Sequence, residues 1–194
     1  MDISMPVIMK MGELMNDDEF FQFCQMNDTL EFERDAQRNI IVMSPAGSFT
    51  GNFNLRIAAL LFIWNQSSRL GEVFDSSTGF TLPNGAVRSP DVSWIKKERW
   101  ELLTQDQKEK FAPICPDFVV EIRSKSDDLR YLQNKMVEYL ENGAQLGWLM
   151  DRFERNVYIY QHDKAVEILD SLNVNLSGDL TLPGFTLDLG SIVK

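Results

Sequence analysis

The sequence predicts a mixed α/β fold in which one β-sheet is flanked by helices. Three observations support this fold class: short segments with apolar residues at period two, two longer segments with apolar residues at helical spacing, and their order along the chain. The chain has 194 residues, of which 44% are hydrophobic and 25% charged. This length and composition are typical of a single soluble globular domain, so we expect one domain over residues 1–194.

The first part of the chain predicts a helix followed by a β-hairpin, together spanning residues 15–43. Acidic residues precede an aromatic cluster at residues 16–24, which indicates a short helix. Alternating residues at 29–34 and 39–43, separated by a polar turn, predict the two hairpin strands. A loop is expected at 44–48.

The middle of the chain predicts a long helix and then a meander of strands. The helix is expected from Asn52 to about Ser68 because its apolar residues fall on one stripe. Strands are expected at 72–75, at 78–82 and around Asp91, after a Pro-Asn-Gly turn. Residues 96–110 are polar and predict short pieces of helix.

The second half of the chain predicts strand, helix and strand in succession. After a strand at 116–125, the segment Ser126-Asp127-Asp128 is typical of a helix cap, and we expect a helix from Leu129 to Glu141 that Asn142-Gly143 ends. Three strands should follow. The core is therefore expected over residues 44–170, with a C-terminal extension of short strands, around 180–182 and 185–187, over residues 171–194.

Composition excludes several classes of protein. The net charge of −10 argues against a general nucleic-acid coat, although a local basic groove remains compatible with it. The single histidine, His162, nearly excludes histidine-dependent and zinc chemistries. The two cysteines, Cys24 and Cys115, are far apart and indicate a reducing, cytoplasmic location. No signal peptide or membrane-spanning stretch is expected.

Two carboxylates are the candidate functional residues. Asp91 follows Arg88-Ser89-Pro90, and Glu121 lies within the apolar run that begins at Pro116. Side chains alternate along a strand, so Glu121 and Arg123 share the face opposite to Phe118, Val120 and Ile122. A charged pair within a buried strand is costly, and proteins tolerate it where a hard metal ion and a phosphate are handled.

These motifs resemble the PD-(D/E)XK nuclease superfamily, and most closely its Uma-type restriction endonuclease family. The resemblance spans about residues 43–151 and rests on the Asp91 motif, the Glu121 strand and the helix that contains Lys135, followed by Gly147-Trp148-Leu149-Met150-Asp151. It implies a restriction-endonuclease-like mixed sheet with extra terminal strands. It also implies a DNA endonuclease that uses Mg²⁺ (or Mn²⁺) and acts as a homodimer.

The resemblance also assigns roles to individual residues. Asp91 and Glu121 would bind the metal ion. The superfamily places a lysine two residues after the second acid, but this chain has Arg123, which stays protonated and cannot act as a base. Related families carry the lysine on the next helix, where Lys135 fits, on a helical stripe with Tyr131 and Glu138. The expected catalytic set is Asp91, Glu121 and Lys135, with Arg123 as an auxiliary phosphate contact.

Each residue also has a structural interpretation that the sequence leaves open. Asp91 could cap a turn, Glu121 could pair with Arg123, and Lys135 could be a solvated lysine that pairs with Glu138. Two other kinds of protein remain open as well. One is a non-catalytic module that binds a protein or mimics DNA on the same scaffold, and the other is a structural domain whose two acids are ion-paired.

Overall fold

The computed structural model describes residues 7–10 and 15–193, which form thirteen strands and six helices. The strands are β1 (Val7–Met9), β2 (Glu31–Arg34), β3 (Ile40–Met43), β4 (Gly71–Asp75), β5 (Phe80–Thr81), β6 (Val87–Arg88), β7 (Val92–Lys96), β8 (Phe118–Ile122), β9 (Leu146–Asp151), β10 (Asn156–Gln161), β11 (Glu167–Leu169), β12 (Asn175–Ser177) and β13 (Thr186–Asp188). The helices are α1 (Asp17–Met26), α2 (Ser48–Ser68), α3 (Lys97–Glu101), α4 (Gln105–Lys108), α5 (Leu129–Glu141) and α6 (Leu189–Ile192).

A mixed six-stranded sheet is the centre of the molecule, with the strand order β11-β10-β9-β8-β7-β4. Neighbouring strands are antiparallel except β8 and β9, which are parallel. A parallel pair requires a crossover, and α5 supplies it. The predicted mixed α/β fold is confirmed, and the crossover fixes the helix that carries Lys135 against the strand that carries Glu121.

A second sheet, with the order β1-β3-β2-β6-β5, packs against α1 through an apolar cluster that includes Phe20 and Phe32. The predicted meander is wrong, because β4 pairs with β7 in the large sheet while β5 and β6 pair with each other in the small one. Val87 of β6 pairs with Arg34 of β2. This pairing brings Arg88 next to the N-terminal hairpin. Short-range sequence patterns cannot predict such a contact between distant segments.

Most predicted elements are confirmed, with shifted ends in some cases. Helix α5 has the predicted ends and Asp128 caps it, whereas α2 begins at Ser48 instead of Asn52. Asp91 was expected within a strand, but it lies just before β7. In the tail, residues 180–182 form no strand because Leu182 is buried in the core from a turn, and β12 was not foreseen.

The large sheet separates two apolar cores. On one face, Phe118, Val120 and Ile122 pack with α2 and with the C-terminal segment. On the other face, Val119 packs with Met136 of α5. The predicted alternation of β8 is therefore confirmed, and it places Glu121 on the α5 side. None of the helices in the described part of the chain is long and apolar enough to cross a membrane.

Candidate active site

Asp91 is held at the junction of β8 and α2. Its Oδ2 accepts a hydrogen bond from the backbone N–H of Ile122 at 2.7 Å, and its Oδ1 accepts one from the Asn54 side chain at 3.1 Å. Both partners are distant in sequence, so the interpretation of Asp91 as a turn cap is wrong. Because Ile122 follows Glu121, this hydrogen bond places Asp91 next to the end of β8 that carries Glu121.

Glu121 and Lys135 are in direct contact in the interior of the protein. The Lys135 Nζ lies 2.8 Å from Glu121 Oε1, and the Tyr139 hydroxyl donates to the same oxygen at 3.0 Å. Lys135 is only 3% exposed and Glu121 only 4%. The interpretations of Lys135 as a solvated lysine and of Glu121 as a partner of Arg123 are therefore wrong. Glu121 Oε2 accepts no hydrogen bond from the described residues.

Glu33 of β2 is a further buried acid, and the sequence analysis did not identify it as a candidate. Its Oε1 accepts hydrogen bonds from the Lys135 Nζ and from the backbone N–H of Ser89, each at 2.8 Å. Its Oε2 accepts from Arg88 at 3.1 Å. The only indication in the sequence was a glutamate next to Phe32 in a short predicted strand. Strand alternation does not decide whether such a side chain faces the solvent or the core.

Arg88 connects this hairpin acid to α5. Its Nε donates to Glu138 at 2.6 Å, and its Nη1 contacts Glu33 at 3.1 Å and the Tyr131 hydroxyl at 3.3 Å. The predicted stripe of Tyr131, Lys135 and Glu138 therefore faces inward as a unit. Arg88 belongs to the Asp91 motif, but its position in the sequence does not indicate that it links Glu33 to α5.

Arg123 is directed elsewhere. It follows the end of β8, and its guanidinium pairs with Asp151 at 2.6 Å and with Glu154 at 3.5 Å. It is not among the residues that line the cavity next to Asp91, Glu121 and Lys135. The structure therefore does not bring Arg123 together with the other three members of the predicted catalytic set.

The three residues Asp91, Glu121 and Lys135 line one cavity of about 580 Å³ between the two sheets. Seven acidic side chains line it, and Lys135 is the one basic side chain among the described lining residues. The acids are Asp28, Glu31, Glu33, Asp75, Asp91, Glu121 and Asp127. A polyanion would be repelled by such a cavity unless cations offset its charge.

Burial and the excess of negative charge shift the titration of the acids. Burial, reinforced by the charges of Asp91 and Glu33, raises the pKa of Glu121 to about 8. Burial also raises the pKa of Asp91 to about 6. Burial opposes ionisation of Glu33 too, but Lys135 and Arg88 outweigh it and lower the pKa of Glu33. The charges of Glu121 and Glu33 overcome burial and raise the pKa of Lys135, so its amine stays protonated.

These residues fit a divalent metal ion. Glu33 and Glu121 are buried and Asp91 is partly buried, whereas the buried cations beside them are Lys135 and Arg88, and Glu121 Oε2 is free of hydrogen bonds from the described residues. Magnesium prefers one or two carboxylates, with waters and phosphate oxygens completing its octahedron. Asp91 and Glu121 are carboxylates of this kind that line the same cavity. Within the described ranges, no group of three or more histidine, cysteine, aspartate or glutamate side chains has the geometry of a metal site.

We expect the metal-free protein to lose stability as the pH rises from about 5 to about 8. Over this range folded Glu121 keeps a proton that the unfolded chain has released, because its pKa is about 8 against an ordinary 4.5. One such proton changes the free energy of unfolding by up to about 1.4 kcal/mol per pH unit. Asp91 adds to the fall below about pH 6. Glu33, with its lowered pKa, contributes nothing to the slope in this range.

Urea unfolding in EDTA at several pH values measures this slope. Mg²⁺ should flatten the slope, since a cation favours the ionised carboxylates and binds more tightly as they lose protons. A metal-free stability that is constant or rises between pH 5 and 8 would contradict the expected pKa of Glu121.

The mixed sheet, with Glu121 on an inner strand and the crossover helix that carries Lys135 packed on its face, is the fold of the restriction-endonuclease-like class. The chain belongs to the Uma2 family, which is described as "Putative restriction endonuclease" and whose family model matches residues 17–190. The resemblance noted from the motifs is thereby confirmed.

One solved structure shows the same fold over nearly the whole chain. It is described as a crystal structure of a putative nuclease belonging to DUF820 from Anabaena variabilis. The similarity has a TM-score of 0.74 at 19% sequence identity and covers 92% of this chain and 97% of the other. At this identity the similarity establishes the fold alone. No curated protein sequence matches the chain.

Proposed function

We propose that the protein is a metal-dependent endonuclease that hydrolyses phosphodiester bonds in DNA. The observation that carries the proposal is the convergence of Glu121 and Lys135, 2.8 Å apart, in a cavity that Asp91 also lines. Membership of the Uma2 family and the nuclease fold support the same reaction class.

Each residue has a distinct role in this proposal. Asp91 and Glu121 hold Mg²⁺ or Mn²⁺, which when bound lowers the pKa of water and offsets charge on the phosphate. Glu121 also fixes the Lys135 amine, and Glu33 holds the same amine at an equal distance of 2.8 Å. Because Lys135 stays protonated, it acts as a cation that orients the attacking water or a phosphate oxygen, and not as a base.

Arg123 contacts a phosphate from the rim of the cavity in this proposal. Its guanidinium is 20% exposed and already paired with Asp151, so its effect on the reaction should be smaller than that of Lys135. We also propose a homodimer, because cleavage of both strands requires two sites, and a cytoplasmic location, in keeping with the free cysteines Cys24 and Cys115.

Cleavage of supercoiled plasmid in the presence of Mg²⁺ or Mn²⁺ tests the proposal. We expect nicking by the wild-type protein and its loss in Asp91→Asn, which keeps the hydrogen bond from Ile122 but removes the charge. EDTA should abolish nicking in the wild type.

Two outcomes would contradict the proposal. Equal nicking by wild type and Asp91→Asn would indicate a contaminating nuclease. Absence of nicking with either ion, together with calorimetry that detects no Mg²⁺ binding, would favour the non-catalytic alternative, for which the acidic lining of the cavity suits a basic protein partner.

A further inference from the structure

An aromatic and basic surface lies just beyond the ends of β8 and β9, next in sequence to residues that line the cavity. We call Phe49, Arg123, Arg152 and Phe153 the rim surface. Phe49 belongs to the first turn of α2 and Phe153 to the turn after β9, and their exposed fractions are 43% and 47%. The Arg152 guanidinium carbon lies 4.3 Å from the Phe49 ring centroid and 4.8 Å from that of Phe153. The Arg123 guanidinium lies 5.9 Å from the Phe153 ring.

Arg152 has no counter-charge within residues 7–10 and 15–193. It makes no ion pair or hydrogen bond with any described residue, and its Nε is buried without a partner. This is unusual in a protein with a net charge of −10, where acidic partners are abundant. Arg123, by contrast, is paired with two acids. Arg152 therefore retains its donors for an anion from outside the chain.

The rim surface is joined along the chain to residues of the proposed active site at two points. Thr50, the neighbour of Phe49, and Ser124, the neighbour of Arg123, both line the cavity. Ile122, whose backbone N–H donates to Asp91, is the residue before Arg123 and also lines the cavity. A nucleic acid strand that reaches Asp91 would therefore pass next to the rim surface.

The chemistry of this surface matches unpaired nucleotides. Exposed aromatic rings stack with bases, arginine planes do the same, and a free guanidinium also binds phosphate. In an intact duplex the bases are already stacked on one another, and only their edges and the phosphates are accessible. We propose that the rim surface stacks unpaired bases, so that the substrate is DNA with a single-stranded segment next to the cleaved bond. This inference rests on the proposed function and specifies its substrate.

Binding measurements separate this inference from cleavage itself. Fluorescence anisotropy with Ca²⁺ in the buffer would compare a labelled single strand of about 30 nucleotides with the corresponding blunt duplex. The test variants are Phe49→Ala, Phe153→Ala and Arg152→Gln. The matched controls are Phe62→Ala, an equally exposed phenylalanine elsewhere on α2, and Lys97→Gln, an exposed cation on α3.

We expect the wild type to bind the single strand at least about tenfold more tightly than the duplex. The affinity of Phe153→Ala for the single strand should fall by about tenfold, and its affinity for the duplex by less than about twofold, because stacking is lost only where bases are exposed. Phe153→Trp should restore binding. Arg152→Gln should weaken binding and reduce the salt dependence by about one phosphate contact. The control variants should bind like the wild type.

Three results would overturn the inference. Equal affinity of the wild type for both DNAs, or unchanged single-strand binding in Phe153→Ala, would exclude a stacking surface. A changed elution volume of Phe153→Ala in size-exclusion chromatography, with intact DNA binding, would assign the surface to contact between copies of the chain. Each of these results leaves plasmid nicking and its loss in Asp91→Asn unaffected, so the proposed function is tested separately.

Discussion

Cleavage by the Glu121→Gln variant should fall by at least about a hundredfold, whereas its metal-free form should be more stable than the wild type above pH 8. The amide can still accept the hydrogen bonds of Lys135 and Tyr139 at one oxygen, so the fold is retained. The charge that would hold the metal ion is lost, which accounts for the expected fall in rate. The gain in stability follows from removal of a buried carboxylate whose pKa is about 8.

Glu141→Gln provides the matched control, because Glu141 is an exposed carboxylate at the end of the same helix as Lys135. It should leave cleavage and stability unchanged. Rates are measured by plasmid nicking in Mg²⁺, and stabilities by urea unfolding in EDTA. If Glu121→Gln cleaved at the wild-type rate, Glu121 would have no part in the reaction.

The free energy of unfolding of the Glu33→Ala variant should be about 3–5 kcal/mol lower than that of the wild type. Glu33 neutralises Lys135 and Arg88 in a site where none of the three is exposed by more than a tenth. Its removal leaves two buried cations with too little compensating charge, which is the costly way to break a buried ion pair. It also leaves the backbone N–H of Ser89 without its acceptor.

Glu31→Ala is the control, since Glu31 lies on the same strand and is exposed. It should change the free energy of unfolding by less than about 0.5 kcal/mol. Glu33→Gln retains oxygen and shape, so it should be more stable than Glu33→Ala but cleave DNA more slowly than the wild type. Equal stability of Glu33→Ala and Glu31→Ala would show that the buried network contributes no stability.

The sequence was sufficient for the elements that local patterns encode. Helix α5, for example, has a capping aspartate at one end, an Asn-Gly stop at the other and a regular apolar seam. The alternation in β8 likewise predicted which face carries Glu121. Both are properties of adjacent residues, and both are confirmed.

Local sequence patterns could not predict contacts between segments that are distant along the chain. Nothing near Glu33 indicates that a hairpin strand faces a helix about a hundred residues later, because that contact depends on how the two sheets pack. The exchange of strands between the sheets, which the meander prediction missed, is of the same kind. The convergence of Asp91, Glu121 and Lys135 became visible only through the family pattern, not through spacing.

The position two residues beyond Glu121 is not interchangeable with position 135. Arg123 lies past the end of β8, where Asp151 and Glu154 draw its charge towards β9. A lysine introduced by Arg123→Lys in a Lys135→Met background would pair with the same two acids. Its amine would not reach the cavity. Helix α5 therefore positions the amine independently of β8, while Arg123 links the end of β8 to the end of β9.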